Sequence, residues 1–317
     1  MELFSSSWLN VTANICLLIA AIVLLWKGAD AMVESASRIA VKLGVSELVI
    51  GLTIVAFGTS APELAVSVSA AINKLNDISV GNVVGSNIFN IGFILGIVAI
   101  IRPVEVTKKL VYRDGALMVI SVLMLLLFFR DFLLDRWEAA ILFAMLIAYL
   151  IFLFIKKDPM GESESETEKA TGKDWLILPI SIAAIVFGGD LLVKSASFLA
   201  TLAGISPWVI GVTIVAAGTS APEMAASIAA VVKGHYGISA GNLVGSNIFN
   251  AFGILGIAGI IRPLGMDGGH VLISLSLLAG LLLLSVVFMR TGWKVSRAEG
   301  AAMVLIGLAI WIRDFIQ

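Results

Sequence analysis

Long apolar runs, each of about 20 residues, alternate with short polar segments along the whole sequence. This length suits a helix that crosses the hydrocarbon core of a bilayer, and the runs lack the alternation typical of a membrane β-strand. They cover approximately residues 9–28, 45–72, 78–101, 114–130, 137–155, 175–193, 207–232, 238–261, 269–289 and 295–312. The pattern predicts an all-α integral membrane protein with ten transmembrane helices.

The second half of the sequence repeats the first at a constant offset of 160 residues. Gly51–Ala70, GLTIVAFGTSAPELAVSVSA, recurs as Gly211–Ala230, GVTIVAAGTSAPEMAASIAA, and Gly81–Pro103 recurs as Gly241–Pro263. Each half holds five runs, and an odd number of spans inserts the second half upside down, as in many secondary transporters. The expected organisation is a first repeat over 1–155, a linker over 156–174 and a second, inverted repeat over 175–317.

Composition agrees with a membrane protein and excludes several other classes. The chain is 59% apolar and 14% charged with a mean hydropathy of +1.04, whereas soluble domains average about 25% charged residues. No basic tract suggests a nucleic-acid partner, and the single Cys16 excludes an internal disulfide and a cysteine metal cluster. The acidic linker is interpreted as a solvated loop; a Ca²⁺ site among its glutamates is the alternative, although EF-hand spacing is absent.

The distribution of positive charge predicts the orientation in the membrane. Fifteen of the 21 Lys and Arg residues fall on the predicted loops of one side and six on the other. By the positive-inside rule, both termini are expected outside the cell and the linker in the cytoplasm. The expected location is the cell membrane, with the lipid bilayer as surroundings. The oligomeric state stays open, and a monomer suffices because one chain carries both repeats.

Each repeat carries a carboxylate in the middle of an apolar run, at Glu63 and Glu223. A charge at a helix centre costs about 2.5–3.5 kcal/mol on insertion scales. The same six residues, Gly-Thr-Ser-Ala-Pro-Glu, surround both glutamates, so a structural carboxylate would have to arise twice in the same setting. We therefore interpret the pair as the centre of a cation site.

The residues before each glutamate predict a helix that breaks inside the membrane. Pro62 removes an amide donor and disfavours helical angles at the preceding residue, and Gly58 weakens the helix further. Thr59 or Ser60 is expected to cap the helix that resumes. Such a break is tolerated at this depth only where it lines a cavity or is buried in protein. It is expected to free backbone carbonyls around Ala56, and around Ala216 in the second repeat.

Further oxygen donors lie near the glutamates in the sequence. Hydroxyls three or four residues away share a helix face with each carboxylate. The second repeated block, Gly81–Pro103 and its copy Gly241–Pro263, adds hydroxyls and amides. Glycines in that block are expected to allow close helix approach and local unwinding, so that helices 3 and 8 are broken as well as 2 and 7. Hard oxygen donors suit Na⁺ and Ca²⁺. The candidate ligands are Glu63, Glu223, Asn90, Asn250, Thr59, Ser60, Thr219, Ser220, Ser86, Ser246 and the carbonyls of Ala56 and Ala216.

Other polar residues have a structural interpretation. Four asparagines of the second block are read as helix caps or packing groups, two aspartates as solvated at the interface, and both histidines as bystanders. They are Asn82, Asn87, Asn242 and Asn247, Asp30 and Asp190, and His235 and His270.

The two copies of G-T-S-x-P-E followed by G-N-x-x-G-S-N resemble the calcium/cation antiporter superfamily, most closely the prokaryotic sodium/calcium exchangers. The resemblance covers nearly the whole chain. It implies electrogenic exchange of three Na⁺ inward for one Ca²⁺ outward, with Glu63 and Glu223 as Ca²⁺ ligands and the Thr and Ser hydroxyls as Na⁺ ligands. It also implies long, moving first and sixth helices, over about 9–43 and 175–203.

Two departures from relatives bear on the coupled ion. Some relatives, including potassium-dependent exchangers, have Asp where this chain has Asn250, which argues against K⁺ co-transport. Proton/calcium exchangers typically have an acidic residue where this chain has Gly85 and Gly245. The alternatives that stay open are a proton-coupled or other-cation antiporter on the same scaffold, or a passive cation channel. An enzyme is not expected, and no cofactor is implied besides the transported ions.

Overall fold

The computed structural model describes residues 2–156, 169–204, 216–266 and 270–316. Its helices are α1 (Glu2–Leu43), α2 (Glu47–Thr59), α3 (Ala61–Ile72), α4 (Asn76–Ile101), α5 (Leu110–Asp131), α6 (Arg136–Lys156), α7 (Asp174–Leu202), α8 (Ala216–Thr219), α9 (Ala221–Lys233), α10 (Tyr236–Ile261), α11 (His270–Arg290) and α12 (Arg297–Ile316). Four two-residue strands are β1 (Val104–Glu105), β2 (Leu133–Leu134), β3 (Leu264–Gly265) and β4 (Lys294–Val295).

Seven of these helices are long and apolar enough to cross a membrane, or eight if the bent pair α2 and α3 is one span. The sequence pattern predicts ten. Two predicted spans are therefore not among the eight. One of them, the run 207–232, lies partly outside the described residues. The other is α12, which carries Arg297, Glu299, Arg313 and Asp314 near its ends and is not among the seven. The chain is a multi-pass, all-α membrane protein.

Helices α1 and α7 extend well beyond their apolar runs and pack along each other. They end at Leu43 and Leu202, close to the limits that the family resemblance implies. Near the end of α1, Arg38 forms an ion pair of 3.1 Å with Asp174, the first residue of α7. The carbonyl of Arg38 also accepts the backbone N–H of Ala170 at 3.1 Å. The end of α1 therefore meets the beginning of α7, and the two equivalent helices run in opposite directions.

Two pairs of short strands and two contacts at helix ends also join the two halves of the chain. Strand β1 pairs with β4 and β2 pairs with β3, so each ribbon takes one strand from each half. The Arg102 guanidinium at the end of α4 lies 5.2 Å from the ring centre of Tyr236, which begins α10. Conversely, Asn76 at the start of α4 donates to the carbonyl of Gly265, just after α10. Helices α4 and α10 are thus antiparallel.

The predicted break in helix 2 is confirmed at Ser60. This residue has φ −81° and ψ 9°, and the axes of α2 and α3 bend by 50° there. Pro62 lies in the first turn of α3, where a missing N–H costs no helical hydrogen bond. Ser220 has nearly the same backbone angles, −89° and 8°, between α8 and α9. Neither serine hydroxyl caps the following helix, so the expected capping bond is absent at both.

The predicted breaks in helices 3 and 8 are wrong. Helices α4 and α10 are continuous and only widen into π-helical turns at Phe89–Leu95 and Phe249–Ile254. Neither contains a proline, and Gly241 and Gly245 of α10 serve packing instead. A Cβ on Gly245 would lie 2.7 Å from the Cα of Leu52 in α2, so α10 and α2 touch backbone to backbone.

Candidate cation site

Glu63 and Glu223 lie at the centre of the bundle, each in the first turn of the helix that follows a break. Both side chains are completely buried. The N-terminal end of a helix carries partial positive charge, which stabilises a carboxylate there. The two breaks therefore bring two helix N-termini, each with its own glutamate, into the protein interior.

Each glutamate accepts a hydrogen bond from the serine at the opposite break. Ser60 Oγ donates to Glu223 Oε1 at 2.9 Å, and Ser220 Oγ donates to Glu63 Oε1 at 3.2 Å. Glu63 Oε1 also accepts the hydroxyl of Ser86 at 3.4 Å. The reciprocal pair explains why neither serine caps its own helix, since the hydroxyl is used across the interface between the repeats.

Two asparagines interpreted as caps or packing groups instead tie the third helix of each repeat to its glutamate. Asn82 Nδ2 donates to the backbone carbonyl of Glu63 at 3.2 Å and to Ser67 Oγ at 2.9 Å. Asn242 Nδ2 donates to the carbonyl of Glu223 at 3.4 Å and to the hydroxyl of Ser227, also at 2.9 Å. The separation of 19 residues from the glutamate, the same in both repeats, is the sequence signal for this pairing.

The carbonyl of Ala56, which the sequence predicts to lack a helical hydrogen bond, accepts two hydrogen bonds. It accepts the backbone N–H of Ser60 at 3.1 Å and the Thr59 hydroxyl at 3.4 Å, so it keeps a helical hydrogen bond. Because Pro62 has no N–H, the carbonyl that loses its helical donor is that of Gly58, four residues earlier. The Thr59 hydroxyl also lies 3.1 Å from Asn242 Oδ1, which links the two repeats again.

Several buried oxygens around the glutamates have no hydrogen-bond partner among the described residues. They are Glu63 Oε2, Glu223 Oε2, Asn90 Oδ1, Asn250 Oδ1 and Ser246 Oγ. Buried polar groups are normally bonded, so a cluster of orphaned oxygens at one place fits a bound cation. Within the described ranges no three Asp, Glu, His or Cys side chains form a metal cluster. Mixed carboxylate, amide and hydroxyl oxygens are the ligands that Na⁺ and Ca²⁺ prefer.

The remaining predicted residues are described to different extents. Ala216 and Thr219 begin and end the short helix α8 before the second break. Residues 205–215, which include the start of the second repeat copy, and the linker glutamates within 157–168 lie outside the described residues, as does the side chain of His270.

His235 is not a bystander. Its Nδ1 lies 2.6 Å from Glu47 Oε1, and the Ser37 hydroxyl donates to the same oxygen. Asp30 is not merely solvated either, since its carboxylate lies 3.2 Å from Lys233 Nζ. Asp190, by contrast, is about half exposed, as expected for an interfacial group. These contacts join α1, α2 and α9 at the end of the bundle where α2 begins.

Comparison with known proteins identifies the family of the chain. The sodium/calcium exchanger protein family matches residues 13–155 and 173–310, which is most of the chain in two segments. The chain belongs to this family. It is accordingly a transporter and not an enzyme, a cation antiporter of the sodium/calcium exchanger type.

Individual members of the exchanger family match along nearly their whole length. The sodium/calcium exchanger MaX1 of Methanosarcina acetivorans is 36% identical over 95% of this chain and 98% of its own. The inner membrane protein YrbG of Escherichia coli is 33% identical over 93% and 94%. A structure of the sodium-calcium exchanger NCX_Mj soaked with 10 mM Na⁺ and no Ca²⁺ superposes with a TM-score of 0.84 at 30% identity, covering 94% of this chain and 98% of that one.

Proposed function

We propose that the protein is an electrogenic antiporter that exchanges Na⁺ for Ca²⁺ across the cell membrane by alternating access to the buried site. The observation that carries this proposal is the pair of buried glutamates from the two repeats, each bonded to the opposite serine and each with one oxygen left without a partner. The names of MaX1 and NCX_Mj support the choice of ions.

The proposed ligands surround the two carboxylates. The Ca²⁺ ligands are Glu63 and Glu223, with the Ala56 and Ala216 carbonyls. Hydroxyls of Thr59, Ser60, Ser86, Thr219, Ser220 and Ser246 would coordinate Na⁺, and Asn90 and Asn250 complete the polar centre. Two carboxylates neutralise one Ca²⁺, and together with hydroxyls and carbonyls they also accommodate Na⁺. Because the ions share ligands, binding of one displaces the other.

Charge supports a cation as cargo. The described side-chain hydrogen bonds to the carboxylate oxygens of Glu63 and Glu223 come from hydroxyls, which carry no charge. Two ionised carboxylates in a buried site are costly unless they are compensated. A transported cation provides that compensation. If one net charge moves in each cycle, transport is coupled to voltage by about 2.3 kcal/mol per 100 mV.

Packing argues against the proton-coupled alternative. Proton/calcium exchangers typically have an acidic residue at the positions of Gly85 and Gly245. Gly85 has open space beside it, but a Cβ on Gly245 would lie 2.7 Å from the backbone of Leu52. A carboxylate therefore has no room at this position in the described conformation. The coupling ion we propose is Na⁺.

We further propose that the fold comprises ten transmembrane helices in two inverted repeats, 1–155 and 175–317, with both termini outside and the linker 156–174 in the cytoplasm. The antiparallel pairing of α1 with α7 and of α4 with α10 supports the inversion. The excess of positive charge on one side supports the orientation. The end of the bundle that holds Glu47 is then cytoplasmic.

Uptake of radiolabelled Ca²⁺ into proteoliposomes tests the function. Vesicles loaded with Na⁺ should take up Ca²⁺, vesicles loaded with K⁺ should not, and an imposed negative-outside or negative-inside potential should change the rate in opposite directions. Uptake driven by a pH gradient without Na⁺ would identify a proton-coupled antiporter. Uptake that needs no counter-ion would identify a channel.

Glu63→Gln and Glu223→Gln test the site in the same assay. Each removes one of two charges that face the cation, and we expect uptake to fall to the level of empty vesicles. Glu105→Gln, which changes an exposed carboxylate on β1, should transport like the unchanged protein. Normal transport by a folded Glu63→Gln protein would refute the assignment.

A further inference from the structure

Four completely buried asparagine amides lie where α4 and α10 cross, and two of them form a relay. The 160-residue offset pairs Asn87 with Asn247 and Asn90 with Asn250. Asn87 Nδ2 donates to the backbone carbonyl of Asn247 at 3.2 Å. Asn250 Nδ2 in turn donates to Asn87 Oδ1 at 3.0 Å. Asn87 thus connects a backbone carbonyl to a predicted cation ligand.

The relay has only one possible direction. A backbone carbonyl accepts hydrogen bonds and cannot donate, so Asn87 must face it with its NH₂ group. Its Oδ1 is then the atom left for Asn250, and this oxygen also only accepts. Asn250 must therefore face Asn87 with its own NH₂ group. The Asn250 Oδ1 is left over, buried and without a hydrogen-bond partner among the described residues.

The first repeat lacks the equivalent relay. Asn247, the counterpart of Asn87, donates to the carbonyl of Leu243 in its own helix at 2.8 Å. The counterpart of Asn250 is Asn90, whose amide oxygen and nitrogen both have no hydrogen-bond partner within the described ranges. A hydrogen-bond chain therefore sets the orientation of only one of the two central amides.

We propose that Asn87 is a positioning residue for cation binding, which holds the Asn250 amide with its oxygen available to the cation and its NH₂ group occupied. The inference rests on the proposed function, because it takes Asn250 as a ligand. Asn87 itself does not touch the ion. A carboxylate at position 250 would offer oxygen in either orientation, whereas an amide must be oriented, and this chain has the amide.

Asn87→Leu tests the proposal, because leucine has a similar size and cannot form the relay. We expect the Ca²⁺ concentration for half-maximal Na⁺-driven uptake to rise about tenfold, as for other groups that orient a metal ligand. The maximal rate should change much less. Asn247→Leu is the matched control: it removes the equivalent side chain but keeps the carbonyl that anchors the relay, and its half-saturating concentration should stay near that of the unchanged protein.

A second background separates positioning from a general structural role. In Asn250→Asp protein the ligand needs no orientation, so adding Asn87→Leu should change the half-saturating Ca²⁺ concentration by about twofold or less. The same tenfold loss in both backgrounds would overturn the proposal. If Asn87→Leu does not yield folded protein, Asn87→Ala replaces it in both measurements, with the same expected pattern.

Failure of the inference and failure of the proposed function are distinguishable. Absence of Na⁺-driven Ca²⁺ uptake by the unchanged protein contradicts the proposed function. Normal uptake by the unchanged protein, together with an unchanged half-saturating concentration in Asn87→Leu, overturns only the role of Asn87.

Discussion

The repeated blocks of the two halves have nearly the same sequence but pack differently around the site. In the second repeat Gly241 and Gly245 of α10 are buried against the backbone of α2. Their counterparts in α4, Gly81 and Gly85, are exposed. Residues 208–215, which the 160-residue offset pairs with 48–55 in α2, lie outside the described residues. Gly241 and Gly245 therefore form a close helix–helix contact, whereas Gly81 and Gly85 are accessible.

A cross-helix ion pair follows the same asymmetry. Lys233 Nζ lies 2.7 Å from Glu34 Oε1 and 3.2 Å from Asp30 Oδ1, so the end of α9 is tied to α1. At the other end of the bundle, the counterparts of these acids are Asp190 and Lys194, which pair with each other along α7. The 160-residue offset pairs Lys233 with Asn73, which carries no charge, so among the described residues this ion pair has no equivalent between α3 and α7.

The packing difference between the two sets of glycines fits a transporter with two conformations. An inverted repeat changes access when its two halves exchange conformations around a fixed site. Among the described residues, Gly241 and Gly245 form a closed contact at the Glu47 end, and Gly81 and Gly85 at the opposite end are exposed. With the proposed orientation, we expect this to be an outward-facing arrangement.

The largest expected effect is a difference in melting temperature between alanine variants of the two sets of glycines. In Gly245→Ala a new Cβ meets the backbone of Leu52, which cannot yield as a side chain would, and overpacking of this kind costs about 1–3 kcal/mol. We expect a clearly lower melting temperature in detergent. Its counterpart Gly85→Ala should melt like the unchanged protein but exchange ions more slowly, because the opposite state has to bury Gly85. Equal melting temperatures of the two variants would contradict the packing difference.

A smaller effect tests whether the packing difference between the repeats extends to the surroundings of the two glutamates. Asn82→Ala and Asn242→Ala each remove bonds to a hydroxyl and to a glutamate carbonyl, and one such bond contributes about 0.5–1.5 kcal/mol. Because the two sets of Nδ2 distances are almost the same, we expect similar increases in the half-saturating Ca²⁺ concentration, roughly threefold to tenfold, with the upper end for Asn242→Ala, which also removes the acceptor of the Thr59 hydroxyl. Clearly unequal increases would show that the repeats differ at the site itself. Asn73→Ala, at an exposed position, is the control.

The smallest effect concerns the ion pair. Partly exposed pairs contribute about 0.2–1 kcal/mol, so Lys233→Gln should loosen the contact between α9 and α1 without unfolding the protein. Hydrogen exchange followed by mass spectrometry should be faster in peptides that cover the last turns of α9. Lys194→Gln removes a lysine whose partner, Asp190, lies in its own helix, and should leave those peptides unchanged. Equal protection in both variants would show that the pair does not hold the contact.

The helical membrane architecture and the two glutamates were predictable from local sequence. Apolar runs of about 20 residues specify membrane helices because of the thickness of the bilayer. A proline has no N–H to donate and disfavours a continuous helix, so the break at Ser60 was predictable from Pro62 together with Gly58. Proline alone does not decide it, because Pro179 lies inside the continuous helix α7. Both glutamates stand out because a buried charge is costly anywhere in a membrane.

Other features of the helices and of the site depend on contacts between segments that are far apart in the sequence. The continuity of α4 and α10, the use of the Ser60 hydroxyl by Glu223, the asparagine relay and the contact of His235 with Glu47 all depend on which helices meet. Nor does the repeated motif itself specify any difference between its copies: Asn87 and Asn247 have the same flanking residues, yet only Asn87 reaches across to the other helix. Two equivalent segments differ only through their neighbours, and those are set when the two halves pack together.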